Sequence, residues 1–324
     1  MSTCTIFGGA GFIGTHLAQR LLASRLFTGV HIADTRSSPL IGQHGVTTSI
    51  TDVREQVPLS LCDSRPQWIF NLAAVHREPG HLHYEYFDAN VAGARNVCAY
   101  AEAVECSNMF FTSSISVYGP TSGPTSEASR IAPTSAYGAS KLAAELIHEG
   151  WQRASKGRRL IVCRPGVIYG PGDPGNILRM VSAIRRGYFA LPGSPGLYKS
   201  YGYVFGLLDS VELLLARNEP VLYYNYVEHP TETLGTLVGE IKSFLNSRAP
   251  VVRLPRSVLV PAAVAAQALL GARNPIHPVR VRKAATSTHI VPQTLIDFGF
   301  PFQYPFVKSL EHWRRLAPED FGDR

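Results

Sequence analysis

The sequence predicts an α/β protein: a doubly wound parallel sheet, followed by a smaller C-terminal α/β substrate domain. Three observations carry this. Strand-like apolar runs alternate with helix-like stretches from residue 3 to about 165, the pattern of a parallel sheet covered on both faces. A glycine turn, Gly8-Gly9-Ala10-Gly11-Phe12-Ile13-Gly14, joins the first run to the first helix pattern. Past Pro165 the texture breaks into turns, short helices and isolated strands, the mark of a different architecture. The expected division is a dinucleotide-binding domain over 1–165 and a mainly substrate-binding domain over 166–324, some of whose segments can return to the first.

Residues 3–7 read as the first strand and 15–22 as the first helix. The glycines between them let the backbone approach a pyrophosphate, and the helix start offers free N–H groups and partial positive charge. A second strand over 30–33 ends at Asp34, 20 residues after Gly14. That is where a carboxylate holds a ribose 2′-hydroxyl, so the sheet is expected to be Rossmann-type. Arg36, two residues on, keeps a 2′-phosphate open. A third strand over 46–50 leads to Asp52-Val53, and a fourth over 68–72 carries Asn71-Leu72-Ala73-Ala74. A helix over 88–103, a strand over 109–112, a helix over 136–154 and a strand over 160–163 complete the domain. Ligands gather outside the carboxyl ends of such strands. Beyond the turn-rich stretch 166–175, residues 221–226 read as an isolated strand of the smaller domain and 306–316 as the final helix. The most apolar segment, 258–271, is too short to span a bilayer and contains Pro261 near its start. It reads as a buried or partner-facing helix, with an interfacial membrane helix flanked by Arg256 and Arg273 as the alternative.

Composition narrows the classes. Apolar residues at 45% and charged residues at 17% describe a globular protein with a good core. The net charge of +7 suits anionic small molecules or acidic surfaces. No dense Lys/Arg run appears, so nucleic acid is not an expected partner. The five scattered cysteines form no CxxC pair, which fits a reduced cytoplasmic setting. The chain enters its first strand directly, so no signal peptide is expected. The 11 histidines show no HExxH spacing, and no metal is expected.

Two further motifs bear chemistry. Tyr137 and Lys141, at i and i+4 in a helix pattern, share one face. An ammonium beside a phenol favours the phenolate. A tyrosine so tuned can exchange a proton with a sugar or steroid hydroxyl while hydride moves to a nicotinamide. Ser114, just past the fifth strand in Thr112-Ser113-Ser114-Ile115-Ser116, can hydrogen-bond the same oxygen. Ser113 and Ser116 are expected only to satisfy the strand-to-loop backbone.

On these residues the chain resembles an extended short-chain dehydrogenase/reductase, in the branch of nucleotide-sugar epimerases, dehydratases and reductases. The resemblance implies that Gly8, Gly11, Phe12, Ile13 and Gly14 cradle the cofactor phosphates. It implies that Asp34 and Arg36 meet the ribose, that Asp52 and Val53 flank the adenine, and that Leu72, Ala73, Ala74 and Pro165 line the cofactor. Ser114, Tyr137 and Lys141 match the catalytic triad, with Tyr137 and Lys141 also touching cofactor. Arg164-Pro165-Gly166 with Tyr169-Gly170-Pro171-Gly172 matches the passage to the substrate domain. Asn176 matches a residue that contacts a sugar-nucleotide diphosphate, and His76 falls where relatives place a residue near the sugar. NAD is the expected cofactor, NADP the alternative, and a homodimer the expected assembly.

The chain also departs from the pattern. Where many relatives carry Arg-Asp-Tyr-x-His-Val, it reads Lys199-Ser200-Tyr201-Gly202-Tyr203-Val204, and Gly206 stands at the place of a following acid. Lys199 is then expected to meet a phosphate as a point charge rather than a fork. The sugar dehydratases carry an Asp-Glu pair after the strand-five threonine; Ser113-Ser114 stands here, which excludes dehydration. What is expected is an NAD(P)-dependent enzyme acting at C4 of a nucleotide-linked sugar, as epimerase or 4-ketoreductase. A hydroxysteroid or lipid-alcohol dehydrogenase and a non-catalytic cofactor sensor are the alternatives.

Overall fold

The computed structural model describes residues 2–62, 65–121, 123–270 and 278–322. At its centre β1 (Thr3–Phe7) pairs on one side with β2 (Gly29–Asp34), which pairs with β3 (Val46–Ile50). On the other side β1 pairs with β4 (Trp68–Asn71), and β5 (Asn108–Thr112), β6 (Arg159–Pro165) and β10 (Val221–Tyr226) follow in turn. All six pairings are parallel. The chain direction across the sheet reverses at β1 and β4, and ligands bind doubly wound sheets at such a switch point.

The inner strands bury both faces, which is why they read as continuous apolar runs. Alternate side chains feed two cores. Ile6, Ile32, Phe70 and Ile161 face α1 (Phe12–Ala23) and α6 (Val204–Leu215). Phe7, Ile69, Phe111 and Val162 face α3 (Gly93–Ala103) and α4 (Ala136–Arg153). Ser135 caps α4 by accepting the Gly138 amide at 3.1 Å. The helix expected over 88–103 begins earlier: α2 (His83–Phe87) runs through a π-helical turn, Asp88–Ala92, into α3.

The isolated strand expected over 221–226 is instead an edge strand of the large sheet, paired with β6 along its whole length. Its Tyr224 and Tyr226 are fully buried. Pairing with a strand 61 residues earlier leaves no local trace in sequence.

The second part holds two small parallel pairs. β7 (Val167–Tyr169) joins β9 (Tyr201–Tyr203), and β8 (Ala190–Pro192) joins β11 (Val252–Leu254). The helices α5 (Asn176–Arg185), α7 (Leu234–Phe244) and α11 (Phe306–Leu316) close a core around Tyr169, Ile184, Leu237 and Trp313. The apolar segment forms α8 (Arg256–Leu270), which packs on α9 (Pro278–Ala284). Gly271 and Arg273 lie outside the described residues. α8 is not a core helix: most of its apolar side chains face outward.

Candidate active site

The glycine turn lies at the carboxyl end of β1. Gly8 has φ of +77°, and a Cβ there would sit 2.6 Å from the Ala73 amide nitrogen. A Cβ on Gly14 would sit 2.6 Å from the Gly9 Cα. The turn is therefore pressed between the strand-four motif and the start of α1, where only glycine fits. Gly11 caps α1 without a side chain, and the Phe12 and Ile13 amides open the helix with no earlier turn to bond. The Asp34 carboxylate reaches into this turn: Oδ2 accepts the Ala10 amide at 3.0 Å and Oδ1 the Arg36 amide at 3.1 Å. The Arg36 side chain stays mostly in solvent, 3.9 Å from Asp34. A cradle without side chains beside an anchored carboxylate fits the pyrophosphate and ribose of a dinucleotide.

The neighbouring loops close round it. Asp52 is clasped by Arg54, whose hydrogen bonds hold its carboxyl below the usual range. Val53 packs on Gly93, and its carbonyl accepts Asn96 Nδ2 at 2.8 Å. Leu72 donates to Phe7 O at 2.9 Å, Ala73 backs Gly8, and Ala74 lies half-buried beyond it. Asn90, which the sequence did not single out, bonds both backbone groups of Val75 and the Ser140 hydroxyl at 2.8–3.1 Å. It staples the strand-four loop to α4. His16 Nε2 lies 2.9 Å from Pro171 O, tying α1 to the passage beyond Pro165, itself buried at the end of β6.

Ser114, Tyr137 and Lys141 converge at the carboxyl end of β5. Ser114 Oγ accepts the Ser116 amide at 3.1 Å and hydrogen-bonds Tyr137. Lys141 is buried, with Nζ 4.3 Å from the centre of the Phe111 ring. Burial pushes the Tyr137 phenol up to about 12, opposed by the Ser114 hydrogen bond. It pulls Lys141 down to about 7, opposed by Glu145. The lowered phenol pKa expected from the lysine is therefore not what this environment gives. Desolvation dominates, and Glu78 and Tyr86 push the same way. Ser113 and Ser116 differ in their surroundings: Ser116 Oγ accepts a hydrogen bond from the Ser114 hydroxyl at 3.2 Å, whereas Ser113 Oγ has no partner among the described residues.

Below the triad α4 presents further polar groups. Glu145 holds Arg164 through two hydrogen bonds of 2.8 and 2.9 Å, both side chains buried. Arg164 also donates to the Tyr118 hydroxyl at 3.0 Å. His148 stacks on Phe111 at 4.1 Å and meets Asn71 Nδ2 at 3.2 Å. Each partner pair spans 19 to 77 residues, so no local motif could have shown the pairing, although Arg164 and Asn71 each sit in a motif.

On the substrate side, His76 lies exposed in the loop after β4. In that loop Arg77 O accepts the Tyr86 hydroxyl at 2.7 Å, and the Tyr86 and Tyr137 rings are 6.2 Å apart. Asn176 opens α5, exposed, its Oδ1 accepting from Arg179 at 2.9 Å. Lys199 is placed otherwise than expected. Nζ donates to Thr286 O at 2.6 Å and Lys283 O at 3.3 Å, so two of its three donors are committed to the end of α9. An acid does lie beside position 206, supplied by the loop just after β10. Glu228 accepts the Tyr203 amide at 3.1 Å and the Tyr226 hydroxyl at 2.7 Å. A Cβ on Gly206 would fall 2.3 Å from that hydroxyl and 3.3 Å from the Glu228 carboxylate. The sequence signal was the glycine itself, which leaves the room that the Tyr226–Glu228 pair fills. Tyr203 is core, with its hydroxyl 2.9 Å from His312 Nδ1.

The model of the NAD dependent epimerase/dehydratase family matches residues 4–203. Over 312 residues the chain is 30% identical to the N-acetyl-alpha-D-glucosaminyl-diphospho-ditrans,octacis-undecaprenol 4-epimerase of Escherichia coli O157:H7, covering 94% of this chain and 92% of that protein. It is 28% identical to UDP-glucose 4-epimerase 2 of Oryza sativa subsp. japonica over 50% of this chain and 43% of that one. Among solved structures, MoeE5 in complex with UDP-glucuronic acid and NAD superposes with a TM-score of 0.76 at 21% identity, covering 98% and 100% of the two chains. The UDP-N-acetylglucosamine 4-epimerase of Methanobrevibacter ruminantium M1 superposes at 0.77 with 20% identity, covering 99% and 98%. Both structures share the fold.

Proposed function

The chain belongs to the NAD-dependent epimerase/dehydratase family, and on that premise we propose that it inverts C4 of a sugar carried on a diphosphate. The observation behind the reading is the meeting of Ser114, Tyr137 and Lys141 beside the glycine cradle and Asp34. Gly8, Gly11, Gly14 and Asp34 hold NAD, with Asp52, Val53, Leu72, Ala73, Ala74 and Pro165 along its length. NAD supplies a hydride acceptor that is also the donor on return. Tyr137 takes the proton from the C4 hydroxyl and gives it back once the sugar has presented its other face. A phenol held neutral is suited to the return step. Ser114 orients the C4 oxygen through the hydroxyl that also meets Tyr137. Lys141 bears on the nicotinamide ribose and, when protonated, on the developing phenolate. Asn176 reaches the diphosphate and His76 the sugar, while Lys199 adds charge nearby and holds α9.

The carrier in this reading is a nucleoside diphosphate. A second reading, a polyprenyl diphosphate, is favoured by the relative whose name specifies an undecaprenol-linked sugar and which matches this chain over 94% of its length. A homodimer in the cytoplasm completes the proposal. Replacing Tyr137 by Phe tests it. Turnover should fall about 100-fold or more, the scale of lost acid–base catalysis, with NADH affinity and melting temperature unchanged. Turnover at the wild-type rate in the folded variant would end the assignment.

A further inference from the structure

α8 turns its apolar side outward. Val258, Ala262, Val264, Ala265, Ala268 and Leu269 are all exposed, Leu269 at 85% and Val258 at 56%. At 100° per residue they share one arc of about 160°. Ala263, the buried position, lies opposite. Among the described residues this helix packs on α9 by a narrow edge and leaves its wide apolar face uncovered.

The charge around it says which partner. Residues 241–296, which contain α8, hold eight Lys and Arg and no Asp or Glu. This stretch carries +8 against +7 for the whole chain, so the other residues sum to −1. Arg248, Arg253 and Arg282 are exposed there. A second copy meeting this face across a two-fold axis would set like charge on like charge. An anionic bilayer offers the opposite charge and an apolar interior for the same helix. We infer that α8 and its basic surroundings form a docking surface for an anionic lipid bilayer, with the helix lying in the plane of the interface.

The docking stands on α8 and the basic residues around it; what it serves rests on the epimerase reading. α9 packs on α8, receives Lys199 at the Lys283 carbonyl and at the Thr286 carbonyl just past its end, and pairs Lys283 with Glu78 at 2.6 Å. Glu78 lies in the loop that carries His76 and acts on Tyr137. Docked α8 would therefore hold the sugar site near the membrane surface, where a sugar on a lipid diphosphate is presented.

The test is sedimentation with vesicles, without substrate. The intact protein should pellet with phosphatidylethanolamine–phosphatidylglycerol vesicles, far less with phosphatidylcholine, and less at about 0.5 M salt. The double variant Val258→Glu, Leu269→Glu should pellet at least ~10-fold less. Its melting temperature and NADH affinity should not change. Arg253→Glu with Arg282→Glu should weaken pelleting and its salt dependence. Failure of the wild type to pellet, or equal pelleting of the apolar-face variant, overturns docking. So does light scattering in which that variant splits a dimer while vesicle binding is unaffected. The Tyr137→Phe result bears only on the epimerase reading, so the two can fail separately.

Discussion

Asp34 does two things with one carboxylate. One oxygen holds the Ala10 amide in the glycine turn and the other holds the Arg36 amide. A carboxylate so fixed accepts bonds from ribose hydroxyls and repels a 2′-phosphate. NADH should therefore bind at least ~10-fold tighter than NADPH, a difference of about 1.4 kcal/mol. Asp34→Ala should close most of that gap, since Arg36 is left to meet the phosphate. Fluorescence titration with both nucleotides reads it, and a wild type that prefers NADPH would reverse the assignment. Residues of this kind were legible in the sequence because their chemistry is local: a glycine turn, an acid at a strand end, a tyrosine one helical turn from a lysine. Asn90, Glu228 and the partner of Arg164 were not. Each acts on a partner 15 to 50 positions away, and an isolated Asn or Glu carries no mark of that.

At the scale of the element, α4 carries the costs of the site. Its buried face holds Lys141 and His148 in surroundings that disfavour their charged forms. Burial draws Lys141 from 10.5 to about 7 and His148 from 6.5 to about 4. Between each pair of values the unfolded chain binds more protons than the folded one, so stability rises with pH across both windows. From pH 7 to about 9.5 the Lys141 contribution should be on the order of 1–3 kcal/mol. Lys141→Met should flatten that rise in urea unfolding, because methionine has no proton to lose. Equal slopes for variant and wild type would mean that Lys141 titrates normally. The helix itself was plain from its amphipathic pattern, whereas the polarity of its inner face was visible only at the triad. β10 marks the other limit. Its sequence, VLYYNY, reads as a strand, but membership of the large sheet is settled by β6, and only the assembled sheet reveals it.

Across the whole molecule, function is divided by region. In the proposed reading the sheet and its switch point hold the cofactor and the ends of β4, β5 and α4 do the chemistry, while the region after 240 carries the net positive charge. The sequence alone supplied the +7 balance and the expectation of an anionic ligand. It did not show that α8 faces outward, because apolar content predicts burial and only packing says which side is covered. The proposal that joins these regions is hydride removal and return at one carbon. The direct measurement uses diphosphate-linked N-acetylglucosamine deuterated at C4, on both a UDP and a polyprenyl carrier, with catalytic NAD, followed by NMR. The C4 epimer should accumulate on at least one carrier with the deuterium still at C4 and no label in water. Epimer that has lost its label to solvent, or no epimer from either carrier, would contradict inversion at C4 by a returning hydride.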